Sequence, residues 1–362
     1  MKKLGLSAVA GFLFMINTSG FAQQKTENII IITTDGFRWQ EIFGGMDSSI
    51  AVNSDYNQGD SDYILKKYWA NNIEERRIKL LPFLWSTIAS KGQIYGNRNF
   101  ANDVNNSNPY WFSYPGYSEI FCGYVDTLIN TNNYKNNPNT TLLQFINRQP
   151  KFKNQVAAFG AWSAFDRILN KPNCGFPVTS AFDKTGGKNP TSKERLMNDM
   201  LEDSYQPWDD ECLDVFTQYE AMQYLKTSKP KVLYIAYGET DDWAHAGHYR
   251  DYLEAAHHFD KWLKGIWNYI QKQRQYKDKT SLFITVDHGR GSGNEWTSHG
   301  SDIDGSNQIW FAVMGPDTAA KGEVKTQSQF YQKQFAQSIA SLLGLKFSAE
   351  HPVAEEIPGI KK

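Results

Sequence analysis

Three aspartates stand at or just beyond the ends of apolar runs in this chain, and histidines sit beside two of them. Asp35 follows Asn28-Ile-Ile-Ile-Ile-Thr-Thr34, Asp287 follows Ser281-Leu-Phe-Ile-Thr-Val286, and Asp241 comes four residues after Lys231-Val-Leu-Tyr-Ile-Ala-Tyr237. Asp241-Asp-Trp-Ala-His245 sets an acid and an imidazole four residues apart. Asp287-His288 sets them side by side, and His299 follows in Thr297-Ser-His-Gly300. A single aspartate after a strand needs no more than a turn to cap. Three carboxylates gathered at one place repel each other, and a cation is the natural resolution. Mixed imidazole and carboxylate donors suit zinc and other transition metals rather than calcium. Asp35, Asp241, His245, Asp287, His288 and His299 are enough for two three-ligand sites, each with positions left open for substrate and nucleophile. Only seven histidines are present. His248 rivals His245, while His257 and His258 read as the surface of a helix and His351 belongs to a polar tail.

A metal pair needs a group to activate. Asn108-Pro-Tyr-Trp-Phe-Ser113-Tyr-Pro-Gly-Tyr-Ser118-Glu119 offers two hydroxyls around a Pro-Gly turn, ahead of a helical-looking run to Cys122. A serine entering a helix N-terminus can have its alkoxide stabilised by the helix dipole and by a bound metal. Serine is also a favoured helix cap, so both Ser113 and Ser118 stay open at this level.

The elements that must carry these residues alternate. Strands are expected at 28–34, 155–159, 231–237, 281–286 and 309–313. Helices are expected at 77–90, despite Pro82, at 248–276 and at 327–343. Tyr252, Ala256, Phe259, Leu263, Ile266 and Ile270 recur at helical steps in the longest of them. Fully apolar strands alternating with helices predict an α/β three-layer sandwich around a central, mostly parallel sheet. Polar stretches at 47–62, 125–140 and 170–210 read as insertions capping the carboxyl-terminal rim of the strands, where open α/β sheets bind ligands.

Composition narrows the classes. Hydrophobic residues make up 40% of the chain and charged residues 21%, which excludes a disordered protein. Lys+Arg 38 against Asp+Glu 39 gives no basic surface for nucleic acid. Met1-Lys-Lys3, the apolar run 4–16 and Gly20-Phe-Ala22 have the layout of a secretory signal peptide cleaved after Ala22, too short to span a bilayer. The expected mature protein is one catalytic domain over 23–362, periplasmic or secreted, with no transmembrane segment. Export permits a disulfide, and Cys174 with Cys212 is the first pair to try. Eleven tryptophans and 19 tyrosines also allow a non-catalytic reading, an exported carbohydrate- or surface-binding protein.

Taken in order, Thr34-Asp-Gly-Phe-Arg38, Ser113-Tyr-Pro-Gly-Tyr117, Glu239-Thr-Asp-Asp-Trp-Ala-His245, Thr285-Val-Asp-His-Gly289 and Ser298-His-Gly300 resemble the alkaline phosphatase superfamily, and most closely its nucleotide pyrophosphatase/phosphodiesterase branch. The resemblance implies two zinc ions, one held by Asp35, Asp287, His288 and the nucleophile oxygen, the other by Asp241, His245 and His299. It places Ser113 at the nucleophile position, where that branch usually has threonine, with Ser118 as the fallback. Gly116-Tyr117 stands where relatives often show Asn-His or Gly-His. An asparagine that contacts the phosphoryl group usually follows the nucleophile helix, and Asn132, among Asn130, Asn132 and Asn133, fits that place. Arg290 and Arg167 are candidate cations toward the substrate. The implied reaction is hydrolysis of a small phosphate ester, diester or monoester, through a phosphoseryl intermediate. A sulfatase-like activity is the alternative within the superfamily, but tyrosine stands at 117 where the sulfatase C/S-x-P-x-R motif needs arginine.

Overall fold

Four consecutive isoleucines, Ile29 to Ile32, leave strand β1 (Asn28–Thr34) no polar face, and all seven of its residues are buried. Such a strand belongs in mid-sheet with both faces covered. The computed structural model describes residues 24–362, so the signal peptide expected over 1–22 lies outside the described residues. The further strands are β2 (Gly92–Tyr95), β3 (Asn102–Asn105), β4 (Val156–Gly160), β5 (Val178–Ser180), β6 (Val232–Tyr237), β7 (Thr280–Val286), β8 (Phe311–Met314), β9 (Gly322–Glu323) and β10 (Ser328–Tyr331). Eight of them form one sheet in the order β5-β4-β6-β1-β7-β8-β2-β9. β5, β4, β6, β1 and β7 run parallel, and β8 is antiparallel to both β7 and β2. Helices flank this mostly parallel sheet, as the alternating pattern predicts.

The helix Tyr249–Ile270 shows why the outer layers adhere. Tyr252, Ala256, Phe259, Leu263, Ile266 and Ile270 are all buried along one stripe. Each large side chain in such a stripe contributes roughly 1.5–3 kcal/mol on full burial. Among the described residues no helix is long and apolar enough to cross a membrane.

Three local expectations need correction. The helix expected over 77–90 is broken at Pro82. An α-helix runs Ile73–Leu80, and a π-helical turn follows at Leu84–Ile88. Proline cannot continue the hydrogen-bond ladder, and the carboxylate of Asp260 accepts from the freed N–H groups of Phe83 and Leu84, both at 2.7 Å. The helix expected over 327–343 begins only at Phe335, because Ser328–Tyr331 is β10 and pairs with β3 across more than two hundred residues. The cysteines are unpaired: Cys122, Cys174 and Cys212 are all free and buried. Cys174 packs in the main core, whereas Cys212 belongs to a small cluster with Ala161 and Leu201. Their thiols find other partners, Cys174 at the carbonyl of Phe176 and Cys212 at the Thr217 hydroxyl.

Candidate active site

Register does the first assembly. Thr34 at the end of β1 lies between Tyr237 of β6 and Val286 of β7. The next residues on β1 and β7 are Asp35 and Asp287, so two of the strand-end acids leave the sheet side by side. β6 turns at Gly238 into the short helix Glu239–His245, which carries Asp241 and His245 one turn apart. The start of this helix is capped from outside, since Asp214 accepts from Gly238 N at 2.7 Å and Glu239 N at 3.2 Å. Thr240 ties it to β1 by donating to the Asp35 carbonyl.

The six expected ligands converge. His288 Nε2 lies 3.2 Å from Asp35 Oδ1, 3.4 Å from Asp287 Oδ2 and 3.8 Å from Asp241 Oδ1. His245 Nε2 lies 3.1 Å from Asp241 Oδ2 and 2.9 Å from His299 Nε2, and His299 Nε2 is 3.7 Å from Asp241 Oδ1. The ligand atoms of Asp35, Asp287 and His288 lie within 4.8 Å of one another, as do those of Asp241, His288 and His299. His288 therefore stands between the two groups. His248, the rival of His245, turns away and stacks on Trp243 at 5.7 Å.

Charge in this cluster is unbalanced in the sense that a cation corrects. Asp287 is fully buried; its Oδ1 accepts from Gly36 N at 3.1 Å, and its Oδ2 has no hydrogen-bond partner. Burial and the neighbouring Asp35 carboxylate push Asp287 well above the usual carboxylate range, and burial and Asp241 raise Asp35. Burial would lower His288, but the carboxylates of Asp287 and Asp35 prevail and lift it to about 9. An orphaned, buried carboxylate oxygen aimed at an imidazole nitrogen is the arrangement a bound cation completes, and nitrogen with oxygen donors fits zinc.

The rings are aimed from behind. His288 Nδ1 is 2.8 Å from the carbonyl of Gly289, and His299 Nδ1 is 3.3 Å from that of Trp111, which leaves Nε2 of each ring for the site. Trp111 has φ 55°, a left-handed conformation uncommon for an aromatic residue, and its carbonyl is the one that meets His299. Arg290, expected at the substrate, is placed otherwise. It is 1% exposed and donates to Asp241 and to the carbonyls of Trp296 and Thr297. Its guanidinium thus acts on a ligand, together with His245 and His299 holding Asp241 well below its usual range against the opposing effect of burial. Arg167 is engaged too, donating to the carbonyl of Tyr134 at 2.8 Å.

Ser113 opens the helix Ser113–Cys122, every residue of which is buried. Its Oγ lies 3.3 Å from His288 Nε2 and 3.5 Å from Asp35 Oδ1. Ser118 is placed elsewhere, with its hydroxyl against Asn137 Nδ2 and Cys122 Sγ. Asn132 reaches the same helix start: its Oδ1 accepts from Tyr114 N at 3.0 Å. Its Nδ2 has no partner among the described residues. The loop before Ser113 is pinned by Glu119, a buried carboxylate that accepts from Ser107 N, Asn108 N, Asn108 Nδ2 and Lys333 N, each at 2.9 Å.

Five members of this surrounding are not among the residues expected from the sequence. Tyr117 donates from its hydroxyl to Asp35 Oδ2 at 3.0 Å. Its signal was present, one helical turn after Ser113 on the same face. Asn106 and Gln332 both donate to the Asp287 carbonyl at 2.7 Å, the first from a loop and the second from the 3-10 turn Gln332–Gln334. Glu211 and Asp242 form an acidic layer behind the ligands, each with a buried oxygen that lacks a partner. Burial and the charge of Asp241 push Asp242 up to about 8. A Cβ at Gly238 would come 1.3 Å from Glu211 Oε1, so a larger residue there has to displace the Glu211 carboxylate.

No protein-family description and no curated protein matches the chain in sequence. Its fold does match solved structures. Alkaline phosphatase PafA aligns over 94% of this chain and 100% of its own, with a TM-score of 0.56 and 11% identity. A putative sulfatase from Bacteroides thetaiotaomicron aligns over 90% of this chain and 72% of its own, with a TM-score of 0.55 and 14% identity. The lipoteichoic acid synthase LtaP from Listeria monocytogenes covers 89% and 73%, with a TM-score of 0.52 and 13% identity. These structural neighbours are members of the alkaline phosphatase superfamily, and the chain has their fold.

Proposed function

We propose that the protein is an exported two-zinc hydrolase of phosphate esters, with Ser113 as its nucleophile. The observation that carries this reading is the position of Ser113 Oγ, at a helix start and 3.3 Å from His288 Nε2 within the six-ligand cluster. One zinc would be held by Asp35, Asp287 and His288 and the other by Asp241, His245 and His299; bound there, the pair lowers the pKa of the attacking hydroxyl and neutralises charge on the leaving oxygen. Ser113 attacks phosphorus in line. Its oxygen–phosphorus bond forms as the ester bond breaks, the leaving alcohol departs from the opposite side, and a phosphoseryl group remains. Water then displaces Ser113 by the same geometry, which releases the phosphate product and returns the serine. The positive end of the Ser113–Cys122 helix favours the anionic oxygen at its first residue. Asn132, fixed by Tyr114 N, offers its amide Nδ2 to a phosphoryl oxygen. Export rests on the reading of residues 1–22 as a signal peptide, and a single catalytic domain over 23–362 goes with it.

Between phosphate classes, the diester is favoured. A dianionic monoester calls for extra cations beside the phosphoryl group; of the two candidates, Arg290 has every guanidinium nitrogen engaged by Asp241 or a backbone carbonyl, and Arg167 has one nitrogen on the Tyr134 carbonyl. A sulfatase-like activity is the second reading, supported by the sulfatase among the structural neighbours. Against it, Tyr117 stands at the motif arginine and its hydroxyl is engaged by Asp35. The test is kcat/KM for nitrophenyl diester, monoester and sulfate in wild type and Ser113→Ala, with metal content measured alongside. Expected are diester turnover above monoester, loss of nearly all of it in Ser113→Ala, and about two zincs per chain in both proteins. Wild-type rates in the variant, or sulfate preferred over phosphate, overturn the reading.

A further inference from the structure

Asp35 is held on both of its carboxylate oxygens, and by different parts of the molecule. Oδ1 faces the site, 3.2 Å from His288 Nε2 and 3.5 Å from Ser113 Oγ. Oδ2 faces the nucleophile helix and accepts the Tyr117 hydroxyl at 3.0 Å. Tyr117 has no solvent exposure, and its ring is fixed edge-on against Phe165, with centroids 4.8 Å apart. Ser113 and Tyr117 are four residues apart on one helix, so a single rigid element presents a hydroxyl to each side of the same carboxylate. Between them Gly116 lets that helix face approach the Asp287 backbone: a Cβ there would lie 2.5 Å from the Asp287 carbonyl oxygen.

We infer that Tyr117 is a positioning residue for the first metal site: by occupying Asp35 Oδ2 it confines Asp35 to presenting one oxygen, Oδ1, to a cation shared with Asp287 and His288. A carboxylate free on both oxygens can rotate and take a cation through both, which draws it away from the nucleophile. With Oδ2 tied to the helix that bears Ser113, the ligand and the nucleophile keep one spacing. Outer-shell hydrogen bonds of this kind typically govern metal affinity by about 10–100-fold.

This inference rests on the two-zinc reading, and its test separates the two. Zinc affinity is measured by chelator competition in wild type, Tyr117→Phe, Asp35→Asn and the double variant, with melting temperatures taken metal-free and zinc-loaded. Tyr117→Phe removes one oxygen and keeps the ring against Phe165. Expected is a loss of about 10–100-fold in affinity at one of the two zinc sites, with the other unchanged. The stabilisation gained on zinc loading shrinks accordingly. In the Asp35→Asn background the tyrosine substitution adds no further loss, because its partner carboxylate is gone. A purely structural tyrosine would lower the metal-free melting temperature and leave zinc affinity as in wild type, and that result overturns the inference while the two-zinc reading stands. An undiminished loss in the Asp35→Asn background overturns it equally. A wild-type protein that binds no zinc overturns both.

Discussion

If the two-zinc hydrolase reading holds, substituting Gly116 by alanine should abolish most turnover while improving the helix in isolation. Alanine is favoured over glycine in a helix interior by up to about 1 kcal/mol, so local propensity alone predicts stabilisation. Packing predicts the reverse. The added Cβ would lie 2.5 Å from the carbonyl oxygen of Asp287 and 3.0 Å from its carbonyl carbon. Ordinary contact begins at 3.4 Å, so about 0.9 Å of relief is needed. Asp287 is poorly placed to give it. Its carbonyl is held by Asn106 Nδ2 and Gln332 Nε2, both at 2.7 Å, and its carboxylate by Gly36 N. The nucleophile helix must therefore move, and it carries Ser113 away from His288 and Asp35 by a similar distance. A displacement of about 1 Å between reacting groups costs on the order of 100-fold in rate, equivalent to about 2.7 kcal/mol of barrier. Overpacking adds about 1–3 kcal/mol of lost stability. The assay is kcat on a nitrophenyl diester at saturating zinc, with zinc content and melting temperature from the same preparation. Gly116→Ala protein that is fully zinc-loaded, melts at or above wild type and turns over within about threefold of it would refute the seating of this helix on Asp287.

Two further predictions probe the fold away from the ligands. Gly265 lies in the helix Tyr249–Ile270, and an added Cβ would meet nothing within 4 Å, so Gly265→Ala should stabilise by up to about 1 kcal/mol, and unchanged or lower stability in urea unfolding counts against it. Glu220 is buried on the helix Asp214–Thr227 with Oε1 unpartnered, and burial, then the charge of Asp183, pushes it from 4.5 up to about 8. Because its folded value lies above the unfolded one, its contribution is fully present below about pH 4.5 and is lost as the pH rises through 8. Glu220→Gln should then raise the melting temperature at about pH 8 to 9, by a few kcal/mol at most in stability, and leave it nearly unchanged near about pH 4. An equal change at both ends of that range removes the ionisation argument.

The sheet was legible where burial alone decides structure. Runs such as Ile29–Ile32 and Leu282–Val286 can be satisfied only between two covering layers, and the strands expected there are β1 and β7. Elements whose stability comes from distant partners were not legible. β10 is the clearest case: Ser328-Gln-Phe-Tyr331 alternates between half-buried and exposed residues, and only its pairing to Asn102–Asn105 makes it a strand rather than the first turn of the helix that follows. The break at Pro82 has the same character. A proline marks where a helix can end, but the acceptor that completes the break, Asp260, comes from the helix Tyr249–Ile270, 177 residues further along the chain than Phe83.

For the site, what could be read was whatever the metal chemistry demands of residue type. Aspartate and histidine are among the donors zinc accepts, and their placement beside strand ends picked out the six positions that the fold brings together. The groups that hold those ligands are bound by no such demand. A tyrosine hydroxyl on Asp35, an arginine on Asp241 and the backbone carbonyl of Trp111 on His299 serve one purpose through three unrelated chemistries. Arg290 makes the point most directly. Placed next to Asp287-His288-Gly289, a cation is equally suited to face substrate or to back a ligand, and side-chain type does not distinguish the two. Its burial decides: a guanidinium with 1% exposure, each of whose nitrogens already donates to Asp241 or to a backbone carbonyl, is committed to the protein rather than to a phosphate. On the proposed two-zinc reading, that commitment leaves less free positive charge for a monoester dianion, so the residue that the sequence offered as a substrate contact supports expecting a diester.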